Sequence, residues 1–554
     1  LLGRQDRKRV DSPLRAMKGG AASASMVMPM ALTLAIGPVL LTALWLALSP
    51  VLANTPWVAL WQDSRFADAT LYTLWTGTAA SLLAWVSAGY LLRSAFIRGQ
   101  TGRWLNRLPL LLATPHAAMA IAIVLWVAPT GWLLRFTSPW LTGFDTPPFW
   151  RTTQDPLGLG LIAALWIKEV PFLCWVAATQ LQREDVRRRW HAEFAVAQTM
   201  GLTPTAAFNA VVWPQLARVL RWPFIAVLAY GLTVVDLALI IGPTAPPTLA
   251  VLAWEWLRDA DAVLQAQGVL AAWVLAGLTL LVGAGLWRPI IRIAPFGVMG
   301  RAIDGGWRLL FMLYAAAWLA LLVGGFLGVW PFPSVRPEQW HMGHWGRVWD
   351  SAESLWRTVA LGLLAATLTV ALLVAWLEWV PHRWQQVMRP LLIAPMILPP
   401  LLWAFGLYRV ALWGHFEGAW FGMVVAHAIM AMPFALLALE SVYRASDPRL
   451  QAVTLTLGRH PLQYLLSVKW PLLKRALWST WAIAFAVSVA QYLPTLYIGA
   501  GRFVTVTTEA VAQATAGQRG LMSAYAALQT ILPLMAFAVA VMLGRPRRFM
   551  KGLP

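Results

Sequence analysis

The chain holds one cysteine, Cys174, and only 23 acidic side chains in 554 residues. A lone thiol excludes an internal disulfide framework and a zinc site built on cysteines. Charged residues make up 12% of the sequence, half the share of about 25% in an average soluble protein. With 59% hydrophobic residues, this excludes an ordinary cytosolic enzyme, a disordered chain and a fibrous protein. The phosphate-cradling pattern GxxxxGK[ST] is missing, so the chain has no such route to ATP. The ten-residue alternation of an outer-membrane barrel is missing too. No paired carboxylates, metal-ligand cluster or nucleophile–base set stands at membrane depth, which leaves no catalytic, cofactor or metal-binding residues to assign.

What the chain has in quantity is apolar length. Mean hydropathy is +0.63, with 35 Trp and 37 Pro. A membrane-crossing helix needs roughly 20 apolar residues, because the hydrocarbon core is about 30 Å thick. Twelve stretches qualify, near 26–48, 70–92, 108–127, 158–181, 222–241 and 266–287, then 307–330, 356–380, 390–411, 421–442, 477–498 and 521–543. The fold class is therefore an all-α polytopic membrane protein. The many Trp residues read as anchors at the membrane interface.

The formal charge of +20 would suggest nucleic acid in a soluble protein. Its distribution points elsewhere. With the N-terminus inside, 32 of the 43 Lys and Arg fall on the cytoplasmic side and 10 on the outer side, with Lys168 within a span. That bias is the positive-inside signature of a multi-pass protein with both termini cytoplasmic. The run Arg187–Arg188–Arg189 fits the same reading, as a topology determinant and a contact for anionic lipid. The organisation expected is a basic segment 1–25, a first half 26–287, a linker 288–306, a second half 307–543 and a basic tail 544–554. The basic leader and Val51–Leu52–Ala53 resemble a signal peptide, but the apolar run is long enough to stay as an anchor.

Six and six spans invite a search for a repeat. The loop after the fourth span (190–218) and that after the tenth (447–475) align at an offset of 257 without a gap. Thr199 pairs with Thr456, Gly201 with Gly458, Pro204 with Pro461, Trp213 with Trp470 and Pro214 with Pro471; Val211, Leu216 and Arg218 also recur. Pro171–Phe172 and Pro433–Phe434 match at 262, which implies five extra residues in the first copy. Each loop reads as a helix stopped at Gly, a turn, and a second helix begun by Thr203–Pro204 or His460–Pro461 and ended at Pro214 or Pro471. Two such elements on one face imply two similar soluble partners, or a symmetric dimer of one.

This pattern resembles the EAA loop of ABC importer permeases. The family's Glu-Ala-Ala is replaced by Ala195–Val196–Ala197 and Ala452–Val453–Thr454, and Glu193 stands two residues early. The fused two-half layout is similar to the iron(III) and thiamine branch, and segments 234–252 and 492–512 look like the Ynj-type permeases within it. The resemblance implies a type I importer permease fold in the bacterial inner membrane. It implies two copies of an ATPase subunit, which bind the ATP, under the paired loops, and an extracytoplasmic solute-binding protein on the other side. It also implies ATPase coupling through the five residue pairs from Thr199–Thr456 to Pro214–Pro471.

Ionisable or helix-breaking residues inside spans mark a possible translocation path. They are Asp236 in the fifth span, Gln491 and Tyr492 in the eleventh, and the prolines of the third and ninth, chiefly Pro115 and Pro399. Lys168 and Glu169, adjacent and so about 100° apart on a helix, read as structural partners of other helices. His116 and His427 read as hydrogen-bonded packing residues. The alternative function is a single-chain secondary transporter of the six-plus-six type; the stretch from Gly99 to Arg103 faintly resembles the loop of major-facilitator proteins but lacks its acidic residue.

The charge asymmetry has a direct test. A fluorescent protein fused after Pro554 should fold and fluoresce inside the cell, while a cysteine placed in 128–157 should react with an impermeant thiol reagent from outside.

Overall fold

A computed structural model describes residues 24–545 apart from residues 55, 106, 182 and 295–302. The basic N-terminal segment, most of the inter-half linker and the tail residues Arg547, Arg548 and Lys551 lie outside the described residues. The fold is helical, and among the described residues β structure is limited to two isolated bridges, Thr244–Pro247 and Leu327–Trp340. Among the described residues ten helices are long and apolar enough to cross a membrane, and two sharply bent pairs bring the number to twelve if each is one span.

The repeat extends far beyond the loops. The helix pair Leu249–Leu257 and Ala262–Trp287 recurs as Val506–Thr515 and Arg519–Leu543, keeping the offset of 257 at its starts. Each first member begins after a threonine, Thr248 or Thr505. Its opening amide is held by a threonine of the long helix from Phe66 or Ala352: Leu249 N donates to Thr73 Oγ1 at 2.8 Å and Val506 N to Thr358 Oγ1 at 2.9 Å. The five extra residues of the first copy lengthen the helix before Gly201, which is Glu184–Thr199 against Pro448–Thr456.

The halves exchange their first helices. Ala24–Asn54 contributes Ile36, Leu40 and Ala43 to the core of the second half, beside Leu361, Trp403 and Met423. Ile303–Gly324 contributes Trp307, Leu310 and Tyr314 to the core of the first half. Small residues let these helices approach closely, as association within lipid requires. Gly406 lies so near the first span that an added Cβ would collide with the Ala43 carbonyl oxygen.

Some tryptophans serve the interior: Trp85, Trp213, Trp307 and Trp403 are among the largest fully buried side chains. Three of them tie helices together, because an indole N–H taken out of water needs an acceptor. Trp85 and Trp213 both donate to the Ile293 carbonyl, at 3.2 and 3.1 Å, and Trp307 donates to that of Leu91 at 3.0 Å. The second helix of the first loop does not end at Pro214. It runs from Pro204 through a wide turn, Phe208–Val212, into Trp213–Thr233. A proline ring clashes with the carbonyl four residues back in an α-helix; the wide turn, closed by Trp213 N to Phe208 O, removes that carbonyl from its path.

Replacing Gly406 with Leu should separate the first span from the second half. Overpacking of this kind costs about 1–3 kcal/mol or more, so thermal unfolding in detergent should shift down by several degrees, with no shift for Gly277→Leu, which faces open space.

Candidate functional site

The paired loops form one candidate site. Gly201 and Gly458 have φ of +88° and +75°, the left-handed conformation that stops a helix. An added Cβ would meet nothing within 4 Å at either, so the backbone angle and not crowding demands glycine. Thr203 then caps the next helix by accepting from Ala206 N at 3.3 Å. His460 does the same in the second copy, accepting from Leu462 N at 3.3 Å, while its own amide donates to Gln463 Oε1 at 3.1 Å. Pro204 and Pro461 take the first helical position, where no donor is needed. The wide turn recurs as Leu465–Lys469 in register with Phe208–Val212. Around the turns, apolar side chains project outward at matching positions, Val196 with Val453 and Met200 with Leu457, the last pair 79% and 74% exposed. Thr199 and Thr456 are spent locally, each hydroxyl donating to the carbonyl three residues back.

The two loops differ beneath this common surface. In the first, Gln215 is a hub: its Oε1 accepts from Trp190 Nε1 at 2.9 Å, and its Nε2 donates to Glu193 Oε2 at 2.6 Å. Glu193 thus ties the helix before Gly201 to the helix after it. Trp213 is buried against Trp85, ring centroids 5.2 Å apart, and sits beneath the loop. In the second, the anchor is an ion pair. Lys469 Nζ lies 2.6 Å from Glu378 Oε2, both side chains mostly buried, and the same oxygen accepts from Tyr443 at 3.0 Å. Trp470 Nε1 donates to that tyrosine at 3.2 Å. After Pro471 the second copy bends by 78° between Pro461–Leu472 and Lys474–Ala490, whereas the first runs on. Lys474 stands where the first copy has the fully buried Ala217, and a continuous path would carry the lysine into the core.

The second candidate site is a set of broken helices. Pro115 is extended at the start of His116–Val127, and Pro399 is extended at the start of Pro400–Trp413, in the equivalent place of the other half. The helix before Pro399, His382–Ile397, meets the one after it at 113°. The fifth span is interrupted at Val234–Val235 before the short helix Asp236–Ile241, and the eleventh at Gln491–Tyr492 before Leu493–Ile498. Asp236 therefore does not lie within a continuous span. It opens a helix, where the exposed amides favour a carboxylate, and it interacts electrostatically with His116, Tyr230 and Tyr492.

His116 also meets Glu169, Nε2 to Oε1 2.9 Å, and packs on Tyr230 at 4.3 Å. Lys168 turns the other way, its Nζ 3.5 Å from the Leu112 carbonyl at the end of the preceding helix. Lys168 and Glu169 thus pair with other elements. Gln491 donates to the His427 carbonyl at 3.0 Å and leaves its own Oε1 buried without a partner. His427 is locked between Ser488 and Thr495, at 2.9 and 3.0 Å. The structure so gathers Asp236 and Tyr492 with Pro115's neighbour His116, while Pro399 marks the matching bend. Among the described residues no three His, Cys, Asp or Glu gather as a metal site.

No family model matches the chain. A relative decides the family: the inner membrane ABC transporter permease protein YnjC of Escherichia coli K12 is 33% identical over 491 residues, 88% of this chain and 90% of the relative. The chain belongs to the ABC transporter permeases. The thiamine transport system permease protein ThiP of Escherichia coli K12 is 24% identical over 78% of this permease and 81% of its own length. The molybdenum transport system permease protein ModB of Mycobacterium tuberculosis matches 135 residues at 32%, half of that protein. Full-length similarity to YnjC and ThiP, with a partial match to ModB, accords with two permease halves fused in one chain.

Sequence reasoning missed the anchors. Gln215 in one loop, and Glu378, Lys469 and Tyr443 around the other, stand at unrepeated positions and meet their partners only through packing; the one signal was an isolated charge, Glu378, at the end of an apolar span. A double-mutant cycle with Glu378→Gln and Lys469→Gln should give a coupling of about 0.5–3 kcal/mol in thermal or denaturant unfolding. Additive losses would remove the ion pair from the anchor.

Proposed function

We propose that this permease forms the translocation path of an ATP-driven importer in a bacterial inner membrane. Two ATPase subunits bind ATP and dock on the paired loops, and an extracytoplasmic binding protein delivers a small solute from the opposite side. The observation that carries this reading is the recurrence of one surface in two copies: left-handed Gly201 and Gly458, their capped helices, and the outward Val196/Met200 and Val453/Leu457 pairs. Exposed apolar side chains repeated at equal positions suit two identical partner grooves. Thr199, Pro204, Pro214 and their partners Thr456, Pro461 and Pro471 shape these elements, and Trp213 and Trp470 seat them on the spans.

Coupling follows from connectivity. The first loop is continuous with the fifth span up to the break before Asp236, so a push on the loop reaches that break directly. The second acts through a bend and through the Lys469–Glu378 pair, which joins it to the eighth span. Asp236, Tyr492 and Gln491, with Pro115 and Pro399 at the other breaks, line the route at the places where backbone groups are free to change partners. Chemistry within this chain plays no part; both termini and both loops face the cytoplasm.

Gly201→Val and Gly458→Val force an L side chain into a conformation that costs about 1–2 kcal/mol. Each should reduce ATPase retention in pull-downs and ATP-driven uptake in inverted or reconstituted vesicles by at least several-fold. Uptake driven by an ion gradient, without ATP or the ATPase, would overturn the reading.

A further inference from the structure

On the side of the spans opposite the two loops, a cavity of about 280 Å³ lies between the segments that follow the third and seventh spans and the start of the twelfth. Thr130 and Arg135 line one wall, Trp330 a second, and His344, Gln518 and Arg519 a third. Arg135 is 5% exposed. Its Nε donates to the Thr130 carbonyl at 2.9 Å, and its Nη atoms donate to those of Pro331 and Trp330, both at 2.8 Å. These bonds use three of the five N–H groups of a guanidinium. Arg519 donates from Nη1 to the same Thr130 oxygen at 3.1 Å. Two guanidiniums thus converge on one neutral carbonyl, where their like charges act on one another. No Asp or Glu lines the cavity, and among the described residues neither arginine has a carboxylate partner. His344 supplies no counter-charge either, because its Nδ1 meets a further guanidinium, Arg347 Nη2, at 2.8 Å. A buried cation without an opposite charge is costly, and neutral carbonyls offset only part of that cost.

The repeat supplies an internal control. The sixth span, in register at the offset of 257, opens with a carboxylate cap: Asp261 accepts from Val263 N at 2.8 Å, and Asp259 stands two residues earlier. In the twelfth span those positions hold Gln518 and Ala516, and Arg519 stands where the sixth has Ala262. The helix Arg519–Leu543 begins without a side-chain cap, so its first turn presents open amides and the positive end of a long helix. His344 lies against that turn, and an added Cβ at Gly520 would collide with its ring. The same span is therefore opened by two aspartates in one half, and by none and an arginine in the other.

We propose that this cavity binds a small free oxyanion between Arg135 and Arg519, over the open start of the twelfth span. Guanidiniums meet oxyanions through short, charge-assisted bonds, and the ion supplies the negative charge that the chain itself places here only in the first half. The Arg135 guanidinium lies over the ring of Trp330, 4.5 Å to the centroid, which leaves its charge approachable through the cavity. The site stands apart from the broken helices and from both loops.

The test uses the full-length permease in phosphatidylcholine nanodiscs with neither ATPase nor binding protein, so its outcome is independent of the coupling reading. Radiolabelled sulfate is the probe, at constant ionic strength set with chloride. Wild type should bind it saturably, one ion per chain, and unlabelled phosphate should compete where equal chloride does not. Gln518→Asp gives the twelfth span the cap of the sixth; it should unfold no lower than wild type and bind sulfate about tenfold more weakly, because its carboxylate takes the ion's place. Arg519→Ala, the residue of the first half, should weaken binding to a similar extent. Arg151→Gln, an equal loss of charge at an exposed position outside the cavity, should bind as wild type does. Absence of saturable sulfate binding in wild type would overturn the proposal, and so would undiminished binding by Gln518→Asp. Should Arg519→Ala not fold, wild type and Gln518→Asp decide the matter alone.

Discussion

Within hydrocarbon, a backbone N–H or C=O without a partner costs several kcal/mol, and the rest of this architecture answers to that constraint. Among the described residues, four breaks fall within the apolar helices, before His116, Asp236, Pro400 and Leu493. Each break exposes amides and carbonyls, and the helix that follows each one packs against other helices. Lys168 meets the Leu112 carbonyl, Asp236 stands at the opening of its helix, and Gln491 crosses to His427. Breaks that would be intolerable against lipid become tolerable inside protein, and they place polar groups among the spans.

Enclosing those breaks explains the exchange of first helices. A half with only its own later spans would leave its proline-broken segments facing lipid. The seventh span covers the first half through Trp307 and Trp318, which donate to Leu91 O and Thr114 Oγ1 at 3.0 and 2.9 Å. The first span covers the second half, pressed against Gly406. Fusion of the two halves in one chain makes this mutual cover intramolecular, so neither half depends on finding a partner.

The halves are alike in backbone and unlike in electrostatics. Both loops share the glycine stop, the capped restart and the wide turn before proline. One is secured by amide hydrogen bonds around Gln215 and the other by the Lys469–Glu378 pair with Tyr443. Both anchors hold a loop against the spans, so the repeat preserved geometry while the side chains beneath diverged. The second copy also bends by 78° at Leu473, where the first runs on.

Apolar length and proline and glycine spacing were legible in the sequence because lipid and backbone geometry act locally. Twelve apolar stretches, the glycine stops and the Thr203 and His460 caps needed no tertiary information. The resemblance to importer permeases rested on the same local features, while a full-length relative decided the family. Three things needed the folded molecule. Prolines at equal positions had opposite outcomes: Pro214 is absorbed by a wide turn in a continuous helix, while the chain bends after Pro471, because the neighbouring Ala217 can enter the core and Lys474 cannot. The partners of Glu169, Glu193 and Glu378 lie on other elements, which sequence spacing does not encode. The exchange of first helices was invisible for the same reason, since an apolar helix satisfies its own backbone wherever it packs, and only the fit of small residues against their neighbours decides where that is.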